Sequence, residues 1–160
     1  MKPSNLFSLI VALAIPLLVG GIGGIATAQA IPTWYQGLEK PAWNPPAWVF
    51  GPVWTSLYIL MGIAAWLVWR MGWDVPRVRI ALGVFALQLL FNLLWSLIFF
   101  GWQRTGLALA EIILLWFLVG ITTLRFFSLK PLSGIMMTPY WLWTSFAAVL
   151  NASIWWLNRG

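Results

Sequence analysis

Residues 105–124 read TGLALAEIILLWFLVGITTL, a run in which Glu111 is the one charged residue. Built as a helix at 1.5 Å per residue, such a run crosses a hydrocarbon core of about 30 Å. It lacks the period-2 alternation of a barrel strand, and lipid accepts only helices or closed barrels. Working outward, four more uncharged runs appear, at about residues 6–31, 47–69, 80–102 and 131–158. The expectation is an all-α integral membrane protein, a bundle of five transmembrane helices forming a single domain over residues 1–160, with an ordered loop at 32–46 between helices one and two. Composition agrees: 62% of the chain is hydrophobic and 8% charged, with a mean hydropathy of +0.89. A soluble domain is about 25% charged, so this chain could not cover a core of its own with polar surface.

Several chemistries are excluded. The absence of Cys removes disulfides, thiolate metal sites and thiol nucleophiles, and the absence of His removes the commonest general base and haem ligand. The only acids are Glu39, Asp74 and Glu111, too few for a protein cage around calcium or magnesium. No metal and no resident cofactor are expected. The net charge of +6 is spread singly along the chain, which fits juxtamembrane charge and no nucleic-acid partner.

Two readings compete for the first run. Lys2 ahead of an apolar stretch, with Ala28-Gln29-Ala30 after it, has the outline of a signal peptide. The run is longer than a signal core of roughly 7–15 residues, and Gly20-Gly21-Ile22-Gly23-Gly24 offers a small-residue packing face, so a retained helix is expected. The same glycines support close helix contact, either within the bundle or between copies. Counting Lys and Arg on alternate sides gives Lys2, Arg70, Arg77, Arg79, Arg125 and Lys130 against Lys40, Arg104 and Arg159, which places the N-terminus on the cytoplasmic side and the 32–46 loop opposite.

That loop contains Trp34, Tyr35, Trp43 and the stretch Pro41-Ala42-Trp43-Asn44-Pro45-Pro46. Prolines stiffen it and aromatics give it something to bury, so it reads as a folded lid. In the third run Gln88, Asn92 and Ser96 recur every four residues and line one face, either for interhelical hydrogen bonds or as a cavity wall. Glu111, the only acid inside a span, either sits near the headgroups, bonds a polar partner such as Gln88, or moves a proton. Trp66, Trp69, Trp73, Trp155 and Trp156 fall near helix ends and read as interfacial anchors. Trp54, Tyr58 and Gly62 share one face of the second helix, and Trp143, Ala147 and Leu150 one face of the fifth, after Pro139. Small residues facing aromatics would leave a flat slot, roofed by Trp34, Tyr35 and Trp43, suited to a planar apolar ligand.

The stretches Trp34-Tyr35-Gln36-Gly37-Leu38-Glu39-Lys40-Pro41, Trp43-Asn44-Pro45-Pro46-Ala47-Trp48 and Pro52-Val53-Trp54-Thr55-Ser56-Leu57-Tyr58 carry a resemblance, continued by Gln88-Leu89 with Asn92, Ala108-Leu109-Ala110-Glu111, Pro139-Tyr140 with Trp143, and Phe146-Ala147-Ala148-Val149-Leu150-Asn151. Together they resemble the tryptophan-rich sensory protein family, which includes the translocator protein or peripheral-type benzodiazepine receptor. The resemblance implies a five-helix bundle, often a homodimer, of a bacterial envelope or a mitochondrial outer membrane. It also implies a cavity beneath the first loop that takes porphyrins, sterols and benzodiazepine-type drugs. The positions matching the family's pocket are Tyr35, Pro45, Trp54, Tyr58, Gln88, Asn92, Trp143, Ala147 and Leu150. Some bacterial relatives degrade porphyrin in light with tryptophans matching Trp54 and Trp143, which makes those two the catalytic candidates. The cholesterol motif of animal members is not matched, since Leu150-Asn151 is followed by Ala152-Ser153-Ile154-Trp155. The resemblance therefore favours a receptor for a porphyrin or haem-type ligand in the bilayer, with Gln88 and Asn92 as hydrogen-bonding groups and Lys40 or Arg104 near the propionates. Light-dependent degradation and transport are the alternatives.

Overall fold

The computed structural model describes residues 5–159. Five helices follow in order: α1 (Asn5–Ala30), α2 (Ala47–Trp69), α3 (Pro76–Ser96), α4 (Thr105–Leu129) and α5 (Pro131–Leu157). A 3-10 turn at Tyr35–Gly37 punctuates the first loop, and a π-helical turn at Leu97–Gly101 prolongs α3. No strand occurs among the described residues. Four spans, α1, α2, α3 with its π turn, and α4, are long and apolar enough to cross a membrane. The 27-residue α5 has the length but less hydropathy, and it turns Ser133, Thr144 and Asn151 into the interior.

Two boundaries differ from the sequence reading. Helix α3 begins at Pro76, not Ile80, because a proline suits the first helical position, where no intrahelical N–H bond is required. Helix α4 runs on past Leu124 to Leu129, since exposed Arg125 can carry its charge to the membrane surface while its backbone stays helical.

The helices form a ring in the order α1–α2–α5–α4–α3, closed by α3 against α1. Four of the five neighbouring pairs are antiparallel and α1 and α3, which close the ring, are parallel: Gly62 of α2 lies on Ala12 and Leu13 of α1, Asn151 Nδ2 of α5 donates to the Thr105 carbonyl of α4 at 2.9 Å, and Gly23 of α1 lies on Ser96 and Leu93 of α3. Lipid tails are as apolar as leucine, so close packing rather than burial from water holds such a bundle together. Glycines permit it. Gly106 receives the Trp155 indole, Gly120 that of Trp141, and Gly134 the Phe127 ring. Met61, Val68, Phe126, Met137 and Tyr140 fill the centre, while Leu18, Ile25, Leu114, Phe117 and Leu142 point outward as a lipid-facing surface requires.

The alternation of helices gathers Arg70, Arg77, Arg79, Arg125 and Lys130 at one end, and Lys40, Arg104 and Arg159 at the other with the lid. Lys2 lies outside the described residues. Terminal tryptophans are engaged by these cations: the Arg70 guanidinium is 4.8 Å from the Trp66 ring centre and that of Arg159 3.1 Å from Trp156.

Candidate ligand-binding site

At the lid end the bundle encloses a cavity of about 510 Å³. Its walls come from α1, α2, α5 and the end of α3 with the π turn, and α4 contributes none. The α2 wall is aromatic because Trp54 and Tyr58 are one helical turn apart. Their rings stack at 5.6 Å and 27°, and Trp54 meets Tyr140 of α5 edge-on at 6.1 Å. On the adjoining α5 wall, Trp143 lies 5.2 Å from Phe146 and 6.1 Å from Phe50 of α2. The π turn directs Phe99 and Phe100 at the cavity, and Trp95 stacks on Phe99 at 5.3 Å. Such turns place an extra residue per turn and so re-aim side chains.

Of the residues singled out in the sequence, Tyr35, Trp54, Tyr58, Trp143, Ala147 and Leu150 line this space. Pro45, Gln88 and Asn92 do not. Asn92 is buried behind Tyr58, with both ends of its amide occupied: Oδ1 accepts the Tyr58 hydroxyl at 2.5 Å and Nδ2 donates to Tyr140 at 3.0 Å. Gln88 Nε2 is 3.9 Å from Met61 Sδ, one layer deeper. The every-fourth-residue polar face of α3 thus serves the helix interfaces at these two positions, and only Ser96, at its lid end, reaches the cavity. Gly62, expected beside Trp54 and Tyr58 in the slot, instead packs under α1. Glu111 is buried with neither carboxylate oxygen hydrogen-bonded among the described residues, and Gln88 is not its partner.

The lid is ordered, as its prolines suggest, but only Tyr35 of its three aromatics roofs the cavity. The Tyr35 hydroxyl donates to Asn44 Oδ1 at 2.9 Å, and Asn44 Nδ2 donates to the Pro45 carbonyl at 3.1 Å. Burial pushes the Tyr35 phenol above its ordinary value of 10, opposed in part by the Asn44 bond, so it stays a protonated donor at neutral pH. Trp34 packs on Phe99 at 5.6 Å and half-exposed Trp43 on Phe146 at 5.8 Å, outside the cavity wall. Lys40 is occupied with the lid itself: Nζ donates to the Leu38 carbonyl at 2.7 Å and lies 5.0 Å from the Tyr35 ring centre. A distant clasp completes the closure, for Glu39 N–H donates to Asn158 Oδ1 at 3.0 Å and Asn158 Nδ2 to the Glu39 carbonyl at 2.9 Å.

The sequence reading missed the whole α1 wall. Gly20 sits against the Tyr58 ring, where a Cβ would overlap it, and Gly23 sits against Ser96 and Leu93 of α3. The contacts these two make are within the bundle. Gly21 and Gly24 face the cavity region. The glycine cluster was visible in the sequence, but nothing there says which glycine takes which side. Trp95, Phe99 and Phe100 were also missed as lining residues, because a π turn has no local signature that assigns their directions.

A five-helix membrane bundle with an aromatic cavity under a clasped lid is the class that fold and site define. Residues 12–157 match the model of the TspO/MBR family, and the chain belongs to that family. It is 39% identical to the tryptophan-rich protein TspO of Chlorobaculum tepidum over 96% of this chain and 98% of that one. It is also 39% identical to the human translocator protein over 79% and 76% of the two chains, and 43% identical to the tryptophan-rich sensory protein of Cereibacter sphaeroides over 74% and 72%.

Proposed function

We propose that this protein is a membrane receptor that holds a flat, apolar tetrapyrrole of the porphyrin type in the cavity beneath the lid. The observation that carries the reading is the aromatic lining on two adjoining helices, Trp54 stacked with Tyr58 on α2 and Trp143 on α5, beside a space of about 510 Å³. Offset and edge-on rings add about 0.5–1.5 kcal/mol per pair beyond burial, and most of the lining is apolar. Tetrapyrroles also suit a chain that has no His or Cys, provided that ring stacking and not axial ligation supplies the affinity. The names of relatives, sensory protein and translocator protein, agree with a ligand-binding role. Asn92 is committed to Tyr58 and Tyr140, so polar recognition falls to lining side chains such as Thr27, Thr55 and Ser96.

Titration of intrinsic tryptophan fluorescence with protoporphyrin IX and with haem tests the proposal. The two should bind within about tenfold of each other, and Trp54→Ala should weaken both by about tenfold to a hundredfold, the loss of one or two ring contacts. Much tighter haem binding, or unchanged affinity in the Trp54 variant, would refute it.

One observation favours a second reading, light-dependent porphyrin breakdown. The Trp54–Tyr58 stack puts an oxidisable indole on the cavity wall, so photoexcited porphyrin can take one electron from Trp54, leaving an indole radical cation and a porphyrin radical anion, with dissolved oxygen as the oxidant that opens the ring. Illumination of the complex should then bleach the porphyrin in wild type and not in Trp54→Phe or Trp143→Phe. Equal bleaching in all three assigns the loss to free photochemistry. A homodimer is a further part of the reading, and its interface must use surface other than Gly20 and Gly23.

A further inference from the structure

We infer that ligand reaches the cavity sideways from the bilayer, through a slot between α1 and α2, and not from water past the lid. This inference rests on the proposal that the cavity binds a planar apolar guest, and it names the source of that guest: one dissolved in the membrane.

The cavity's walls are unequal. Its α5 and α3 residues are buried or half-buried, whereas on α1 and α2 exposed residues also line it, among them Gly21, Gly24, Trp48, Gly51 and Thr55. The exposed edge therefore lies along the α1–α2 seam. That seam is tight at one end and open at the other. Toward the middle of the bundle Gly62 contacts the Ala12 carbonyl and Leu13, and Gly20 contacts the Tyr58 ring, so neither glycine has room for a Cβ. Toward the lid, a Cβ added at Gly21, Gly24 or Gly51 would meet nothing within 4 Å. Antiparallel helices that touch at 62/12 and 58/20 and are lined by bare glycines beyond leave a gap facing hydrocarbon. Trp48, 75% exposed, stands on its rim.

The water-facing side is closed by comparison. Asn158 holds the Glu39 backbone with two hydrogen bonds, Tyr35 is tied to Asn44, and Trp34 and Trp43 pack on Phe99 and Phe146. Admitting a rigid macrocycle there requires all of these contacts to break together. Admitting it through the slot breaks none of them, and the guest, already partitioned into lipid, need not be rehydrated on the way.

The cysteine-free chain makes the test clean. One protein carries Gly24→Cys and Gly51→Cys, joined across the slot by a bifunctional, reducible thiol cross-linker. The other carries Glu39→Cys and Asn158→Cys, joined across the lid. Each is placed in phosphatidylcholine vesicles, and protoporphyrin IX exchange from donor vesicles is followed by tryptophan quenching before and after reduction. The slot staple should slow exchange by about tenfold or more, reversibly, while the lid staple leaves at least half the rate. Gly24→Phe, whose Cβ meets nothing within 4 Å and whose ring would extend into the gap, should slow exchange without any cross-link. Slowing by the lid staple, or an unchanged rate with the slot staple and Gly24→Phe, overturns the inference. Absence of quenching in the reduced proteins is a different failure, which removes the proposed binding function and the route with it.

Discussion

Asn92 is the best point at which to break the interior, because a single amide joins three helices. On Asn92→Leu, the Tyr58 hydroxyl loses its acceptor and the Tyr140 hydroxyl its donor, both in a buried environment. Hydrogen bonds inside membrane bundles average about 0.6 kcal/mol and reach about 1.7, whereas a buried hydroxyl left without a partner costs about 1–3 kcal/mol. Two such losses give about 2–6 kcal/mol of destabilisation. Leucine has as many side-chain heavy atoms as asparagine and more bulk, so none of this cost comes from a cavity. Unfolding in mixed micelles with rising dodecyl sulfate, read by near-ultraviolet dichroism of the many tryptophans, measures it. A rescue separates polar pairing from shape: with Tyr58→Phe and Tyr140→Phe added, no buried phenol remains unpaired, and at least half of the lost stability should return. An Asn92→Leu protein as stable as wild type, or a triple variant weaker than the single one, would refute this account of the network.

Other expectations follow from the same contacts. Glu111→Gln removes an acid whose two oxygens have no hydrogen-bond partner among the described residues, so thermal stability should hold or rise; a fall would show that the carboxylate makes a stabilising contact. Gly62→Leu drives a side chain into the Ala12 carbonyl and should cost about 1–3 kcal/mol in the same titration. Gly83→Ala, on the open face of α3, should stabilise by about 0.5–1 kcal/mol. Asn158→Ala removes the acceptor of the Glu39 amide, so hydrogen exchange at Glu39 should accelerate while the helices keep their protection.

The membrane class was legible because it depends on runs of residues, and runs survive without tertiary information. Helix α2 runs from Ala47 to Trp69, since Pro46 precedes it and Gly72, at φ 115°, turns the chain away just after it. The far end of α4 was harder: Arg125 marks the limit of a hydrophobic run and has no power to stop a helix. Within the site, spacing placed Trp54 with Tyr58 and Trp143 with Ala147 and Leu150, because residues three or four apart share a helical face whatever the partner helix. Gln88 and Asn92 show the opposite case. Their spacing identified a common face, but whether that face meets a ligand or a neighbouring tyrosine depends on how α3 is rotated against α2 and α5.

Chain composition and periodicity thus determined a lipid-embedded helical bundle, its approximate spans, a stiff lid and two aromatic faces, because solvation and helical repeat act locally along the chain. Helix order, the rotation of each helix and the uneven gap between α1 and α2 were decided only in three dimensions. The physical reason lies in the glycines: Gly20, Gly21, Gly23 and Gly24 are chemically identical in sequence, and only the helix that approaches each one makes it a contact or an opening.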